Sequence, residues 1–442
     1  MPHDGQSRLY DPEIETMDRE SLRSLQFERL KWQIRRCYDH SSFYRERFER
    51  HGVHPDDLRT LADIRRFPVV TKEELREEQR RHPPFGRYTL APQSAWRELH
   101  PSSGTTGTPV NTIWSERDVA SIANFTARTM WSFGVRPGDT VQNAFSYGLW
   151  VAGMSVHYAA ARLGCFVIPI GATMTERQVS YLSTGGSTVL LATPSYALYI
   201  AERLRQQGVA PGDIPLRIGC FGGEPGMEVE ATRRKIETGL GIDGYDYYGL
   251  AEIGPTMASE CHAKTGLHWT EDHHLIEIVN PETMEPCHLG EVGIVVITHL
   301  TREATPMVRY WTNDYARSTD EPCRCGSTHV RSPGGILGRA DDMIIYRGAK
   351  FYPIQVEKVV RSFAELGDEF RIELNTNRET GVSHCTIIVE HLQAAHARDE
   401  SLAERVRRAL REELLVTPSI EIRPWGTLER TTFKAQRIID LR

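Results

Sequence analysis

The pattern of apolar and polar positions changes period along this chain. Between 19 and 38, Leu22, Leu25, Phe27, Leu30, Ile34 and Cys37 recur mostly three or four apart, which predicts an amphipathic packing helix. Thr71 and Glu74 have capping-box spacing ahead of a charge run at 73–81, which predicts a helix with a solvated face. Strand-like and helix-like stretches then alternate. Residues 118–133 read as helix, 141–145 as a strand ending in an aromatic turn at 146–150, and a second helix runs to Leu163. Strands at 165–170, 188–192 and 217–221 follow, with helices between them. Such alternation implies α/β architecture, a largely parallel sheet covered on both faces that takes ligands beyond the carboxyl ends of its strands. The turns at 146–150 and 222–225 both fall at such ends.

Two later stretches break this rhythm. Residues 276–279 and 293–298 alternate or run β-branched around an Asn280-Pro281-Glu282-Thr283 turn, which predicts an antiparallel β subdomain at about 260–335. Past Asp341 the order becomes strand 343–346, helix 354–363, strands 369–374 and 385–390, helix 401–414 and strand 419–423. We therefore expect a large N-terminal domain over 1–340, of mixed and parallel sheets flanked by helices, and a small α+β domain over 341–442.

Composition narrows the class. A chain of 442 residues exceeds what one hydrophobic core usually organises, which supports the division into domains. The net charge of −6 argues against nucleic acid as a partner. No apolar run reaches membrane-spanning length, and residues 1–11 contain no apolar signal core, so the expected location is cytoplasmic. In that compartment the eight cysteines favour thiols or metal ligands over disulfides. The chain's basic residues are very largely arginine, so each lysine stands out.

The densest chemical signal is Ser102-Ser103-Gly104-Thr105-Thr106-Gly107-Thr108-Pro109. Its glycines let backbone N–H groups converge on phosphate oxygens, and its hydroxyls add donors. No Gly-Lys-Ser/Thr closes it, so it is not a Walker A loop. Further along stand Phe221-Gly222-Gly223-Glu224-Pro225, Tyr247-Tyr248-Gly249-Leu250-Ala251-Glu252, Tyr310 to Asp314, Gly338-Arg339-Ala340-Asp341-Asp342, and Lys434. In this order the set resembles the adenylate-forming (acyl-CoA synthetase) superfamily, and its wording is most similar to the phenylacetate-CoA ligase family, over nearly the whole chain.

That resemblance implies a reaction in two halves. A carboxylate attacks the α-phosphate of ATP, giving an acyl-adenylate and pyrophosphate, and a thiol such as that of CoA then displaces AMP. It implies that residues 102–108, Gly223, Glu224, Pro225, Tyr247, Tyr248, Gly249, Ala251, Asp314 and Arg339 bind ATP. Among them Tyr248 would lie on adenine, Asp314 would accept the ribose hydroxyls and Arg339 would contact ribose and phosphate. Glu252 would hold Mg2+, and Lys434 would bridge the carboxylate and the α-phosphate. Asp341 would be the hinge of a mobile C-terminal domain. Two positions depart from the family pattern: Ala251 replaces a hydroxyl residue, and Thr108 a phosphate-neutralising lysine.

For the acid, Phe145, Tyr147, Gly148, Trp150, Phe221 and Gly222 offer aromatic walls with small gaps, which suit a flat ring. Trp150 stands where the family often has a smaller aromatic, which shortens the pocket. Cys261, His268, Cys323 and Cys325 resemble a closed tetrahedral zinc site that would staple two loops, the alternative being free cysteines with His262 or His329 nearby. The expected function is an ATP-dependent aryl carboxylate-CoA ligase, and the resemblance implies a homodimer. Transfer to a carrier-protein thiol, AMP activation for another reaction such as diazotisation with nitrite, and non-catalytic nucleotide binding stay open in the sequence.

Overall fold

The computed structural model describes residues 7–102, 108–376, 383–393, 400–430 and 435–442. A hairpin of β1 (Trp96–Pro101) and β2 (Asn111–Ser115) opens the sheet structure. The large sheet takes β3 (Thr140–Asn143), β4 (Phe166–Ile168), β5 (Val189–Ala192), β6 (Ile218–Gly222), β7 (Asp243–Leu250), β8 (Gly254–Ser259) and β9 (Leu267–Trp269), closed by the short strand Arg331–Ser332. Strands β4, β3, β5, β6 and β7 lie side by side and parallel. β8, β9 and Arg331–Ser332 continue the sheet antiparallel. Helices at Val151–Arg162, Thr175–Thr184, Pro194–Gln206 and Glu230–Leu240 make the connections between parallel strands. The central parallel strands are buried on both faces: every residue of β5 and β6 is buried, which suits their uncharged, apolar sequences.

A second sheet holds β10 (His274–Val279), β11 (Gly293–His299) and β12 (Tyr310–Ala316), all antiparallel, with Gly338–Arg339 at its edge. The helix Arg19–His40 packs through Leu22, Gln26, Leu30, Gln33, Ile34 and Cys37. Its contact stripe is thus less apolar than its sequence suggests, and Gln26 spends its amide on the Glu271 carbonyl at 2.9 Å.

Beyond Asp342 a separate core forms around Phe351, Val356, Val360, Phe370, Ile372, Ile387, Leu402 and Leu410. It joins Pro353–Ser362 and Glu400–Leu414 to a four-stranded sheet built on the antiparallel pair Leu366–Thr376 and Ser383–His391. This unit rests on the large one through Lys235 to Asp368 (2.8 Å), Thr232 to Glu357 (3.1 Å) and Arg361 to Thr232 (2.8 Å). Among the described residues no helix is long and apolar enough to cross a membrane.

Candidate active site

The site lies where the parallel strands end. β6 finishes at Gly222, and Gly223 turns the chain at φ +89°, a conformation costly for any residue with a Cβ. Glu224 follows. Its Oε1 accepts the Ser195 N–H at 2.9 Å and the Ser195 hydroxyl, which pins the turn to the helix after β5. Its Oε2 accepts the backbone N–H of Ala435, from the far end of the chain, at 2.8 Å. Lys434 precedes Ala435 and lies outside the described residues, as do Ser103, Gly104, Thr105, Thr106 and Gly107.

One constellation is assembled by β-sheet register. Asp314 on β12 pairs directly with Arg339 on the neighbouring edge, and Arg339 Nη1 stands 3.0 Å from Asp314 Oδ1. Tyr248 donates its hydroxyl to Asp314 Oδ2 at 2.5 Å. Burial, then the Asp314 charge, pushes the Tyr248 phenol well above its usual range, so it stays a donor. Burial opposes the Arg339 charge, but Asp314, with help from Tyr248, Asp342 and Asp341, more than compensates and raises the guanidinium above its usual range. Asn313, at φ +64°, directs its Nδ2 to both carboxylate oxygens of Asp341, at 3.0 and 3.1 Å. Asp341 is 52% exposed yet tethered, its carboxylate also 3.4 Å from Arg339.

Glu252, just past β7, is buried, with Lys72 Nζ 2.9 Å from Oε1. Lys72 opens the helix Lys72–Arg81, which keeps the expected capping box and an exposed face at Glu73, Arg80 and Arg81 but buries its other face. Leu75, Arg76, Glu78 and Gln79 are buried because the helix clamps the stem of the 102–109 loop. Arg76 Nε donates to the Thr108 carbonyl at 2.9 Å, and Gln79 Nε2 to that of Pro109 at 3.0 Å. Ser102 seals the stem, its N–H donating to the Val110 carbonyl at 2.8 Å and its hydroxyl accepting the Val110 N–H at 3.0 Å. Lys72, Arg76 and Gln79 were not among the residues singled out from sequence, although the scarcity of lysine was a usable signal.

Three rings converge beside the Gly222-Gly223 turn. Phe145 meets Trp150 edge-on at 5.2 Å and Tyr247 edge-on at 6.3 Å. A Cβ on Gly223 would stand 3.0 Å from the Trp150 indole, and one on Gly222 would stand 2.8 Å from the Tyr247 ring. Gly148, at φ +91°, belongs to the loop carrying Trp150. Tyr147 borders this region, its hydroxyl engaged by Asn143 Nδ2 at 2.8 Å and His157 Nδ1 at 3.1 Å.

Strand parity places the remaining residues. Phe221 does not join these rings: it is fully buried in the core beside Tyr196, Met227 and Ile236, because successive strand residues face opposite sides. The same alternation separates Tyr247 from Tyr248, so Tyr247 faces Phe145 and Trp150 and Tyr248 the Asp314 side. Gly249 has no room for a side chain, since a Cβ there would fall 2.0 Å from the Pro255 carbonyl oxygen. Ala251 packs beside Trp114, Trp150 and Val151.

Some distance away, the ligand atoms of Cys261, His268, Cys323 and Cys325 lie within 4.8 Å of one another. Cys261 Sγ is 3.7 Å from Cys323 Sγ, and Cys325 Sγ is 3.5 Å from His268 Nε2. The Cys261 thiol, then the His268 ring, hold the Cys325 sulfur as thiolate, down to about 3. His329 is spent on the Trp269 and Ile14 carbonyls, and His262 contacts Arg8. The alternative partners are therefore engaged elsewhere.

This geometry has counterparts. The AMP-binding enzyme family matches residues 55–304, and the AMP-binding enzyme C-terminal domain matches residues 348–442. A phenylacetate-coenzyme A ligase of Thermus thermophilus is 39% identical over 98% of this chain and 100% of its own length. One of Pseudomonas putida is 37% identical over 100% and 99%. The crystal structure of 2-hydroxyisobutyryl-CoA ligase in the postadenylation state, in complex with 2-HIB-AMP, is 33% identical, with a TM-score of 0.93 over 100% of this chain and 94% of that one. Against the same ligase with 2-HIB-AMP and CoA in the thioesterification state the TM-score is 0.75, over 100% and 93%. The chain as a whole is thus more similar to the former structure than to the latter. The chain belongs to the AMP-binding enzyme family and, within it, to the phenylacetate-CoA ligase group of AMP-forming acid-thiol ligases.

Proposed function

We propose that this enzyme activates an aromatic carboxylic acid with ATP and passes the acyl group to CoA. The acid's carboxylate oxygen bonds to the α-phosphorus as the bond to the β-phosphate oxygen breaks, releasing pyrophosphate. The CoA sulfur, giving up its proton, then attacks the acyl carbon, and AMP leaves with the bonding pair. The observation that carries this reading is the Ala435 N–H on Glu224 Oε2, which brings the segment following Lys434 to the turn beside the acid-side rings.

Each residue then has a task. Tyr248, Asp314 and Arg339 hold adenine and ribose, where a carboxylate accepts hydroxyl donors better than a neutral group would. Phe145, Trp150 and Tyr247 form an aromatic wall for the acid's ring. Lys434 neutralises charge between carboxylate and α-phosphate during adenylation only, and Asp341 is the pivot that then carries it away.

Glu252 suits a magnesium ligand: a buried carboxylate at the strand end whose cationic neighbour, Lys72, is 28% exposed and long enough to withdraw. When bound, the ion would neutralise triphosphate oxygens. Cys261, His268, Cys323 and Cys325 suit structural zinc, because their spacings approach the roughly 3.5–3.8 Å edges of a tetrahedron at ordinary zinc bond lengths. That donor set leaves no open position for catalysis.

The test is pyrophosphate release with a panel of aromatic and short aliphatic acids, with and without CoA. Release with aromatic acids, and thioester only when CoA is present, is expected. Release confined to aliphatic acids would overturn the aromatic assignment, and release unaffected by CoA with no thioester would overturn the acceptor.

A further inference from the structure

Tyr247 is 4% exposed, and among the described residues its hydroxyl oxygen is buried with no hydrogen-bond partner. A phenol in that position is unusual, because buried hydroxyls are almost always paired. Its surroundings explain why it is tolerated. The ring rises against Gly222, whose missing side chain gives it room, and it faces Phe145, which in turn faces Trp150. The nearby phenol of Tyr147 is already committed to Asn143 and His157. Of these two phenols, that of Tyr247 is the one left without a hydrogen-bond partner among the described residues. Burial also keeps it protonated, so it can donate as well as accept.

We infer that the acid taken by this site carries a hydroxyl or amino group on its ring, and that this group meets the Tyr247 hydroxyl. The inference rests on the aromatic-acid reading above and narrows it to a substituted ring. An unsubstituted ring would fill the same space and leave the phenol dry and unpaired. A site built to hydrogen-bond a substrate group discriminates against the analogue lacking it for that reason.

The experiment compares kcat/KM for pyrophosphate release from benzoate and phenylacetate with that from their ring-hydroxy and ring-amino isomers, in the wild-type enzyme and in Tyr247→Phe. In the wild type, at least one substituted isomer should exceed its parent acid by roughly ten- to a hundredfold. In Tyr247→Phe that ratio should fall by a similar factor, while the thermal midpoint stays equal or rises, since the change removes an unpaired buried hydroxyl. A wild type that ranks a parent acid first, or a ratio unmoved in Tyr247→Phe, would overturn the inference and leave the aromatic reading standing. A clear drop in thermal midpoint would also overturn it, because the hydroxyl would then have a partner inside the protein. If only aliphatic acids release pyrophosphate, both readings fall together.

Discussion

Lys72 and Glu252 are 180 positions apart in sequence, yet Lys72 Nζ lies 2.9 Å from Glu252 Oε1, joining the helix that clamps the 102–109 loop to the end of strand β7. The carboxylate is 4% exposed, and the Lys72 ammonium is the cation beside it. Removing one member of such a pair leaves the other buried and uncompensated, which costs more than the pair is worth. Lys72→Met should therefore lower stability by about 1–3 kcal/mol and slow pyrophosphate release. Adding Glu252→Gln should restore part of the stability but none of the rate. Chemical denaturation and a pyrophosphate assay on the four proteins of the cycle check this. Equal losses of stability that simply add would contradict it.

That pair also marks the limit of what could be read from sequence. The parallel sheet was legible because alternation of strand and helix is a local pattern, and the turns after β3 and β6 announce the strand ends that form the site. The helix Lys72–Arg81 and its exposed face were legible, but its buried face was not, because the partners of that face, Thr108, Pro109 and Glu252, are distant in sequence. The packing of Phe221 and Tyr247 follows a different rule. Their side chains obey the two-residue strand period, so parity alone could have put Phe221 in the core and separated Tyr247 from Tyr248. Cys261, His268, Cys323 and Cys325 were found because cysteine and histidine at such spacing have few structural uses.

The interface between the two units should respond to pH. Burial, opposed by the Gly226 N–H and reinforced by the charge of Glu357 on the C-terminal unit, pushes the Glu228 carboxyl up from its usual 4.5 to about 7. Asp246 and Glu260 add negative charge nearby, and Arg233 pairs with Glu260. An acid whose folded value is raised favours the native state when protonated. Its penalty is absent below about pH 4.5, grows as pH rises towards 7 and is complete above that. Glu228→Gln should therefore raise stability by about 1–3 kcal/mol at pH 8 and by little near pH 5. Thermal melts at both values check the sign, and an equal gain at each would contradict it.

The cysteine cluster predicts metal content. Purified protein should hold about one zinc per chain, as a closed four-ligand site requires. Cys325→Ser should lose the metal and lower the thermal midpoint, while the enzyme that remains folded keeps its ratio of thioester formed to pyrophosphate released. Elemental analysis finding no zinc in active protein would end this assignment.

The most direct test separates the two half-reactions. If Lys434 acts only in adenylation and Asp341 is the pivot that withdraws it, then Lys434→Ala should lower pyrophosphate release by roughly a hundred- to a thousandfold, the usual loss for one transition-state charge contact. Thioester formation from pre-made acyl-adenylate and CoA should survive in that variant. Asp341→Pro should do the reverse, since proline fixes φ at the pivot while leaving the adenylating arrangement accessible. Rapid-quench measurement of both half-reactions in both variants decides the matter: opposite losses are expected, and equal impairment of the two half-reactions by Lys434→Ala would contradict domain alternation.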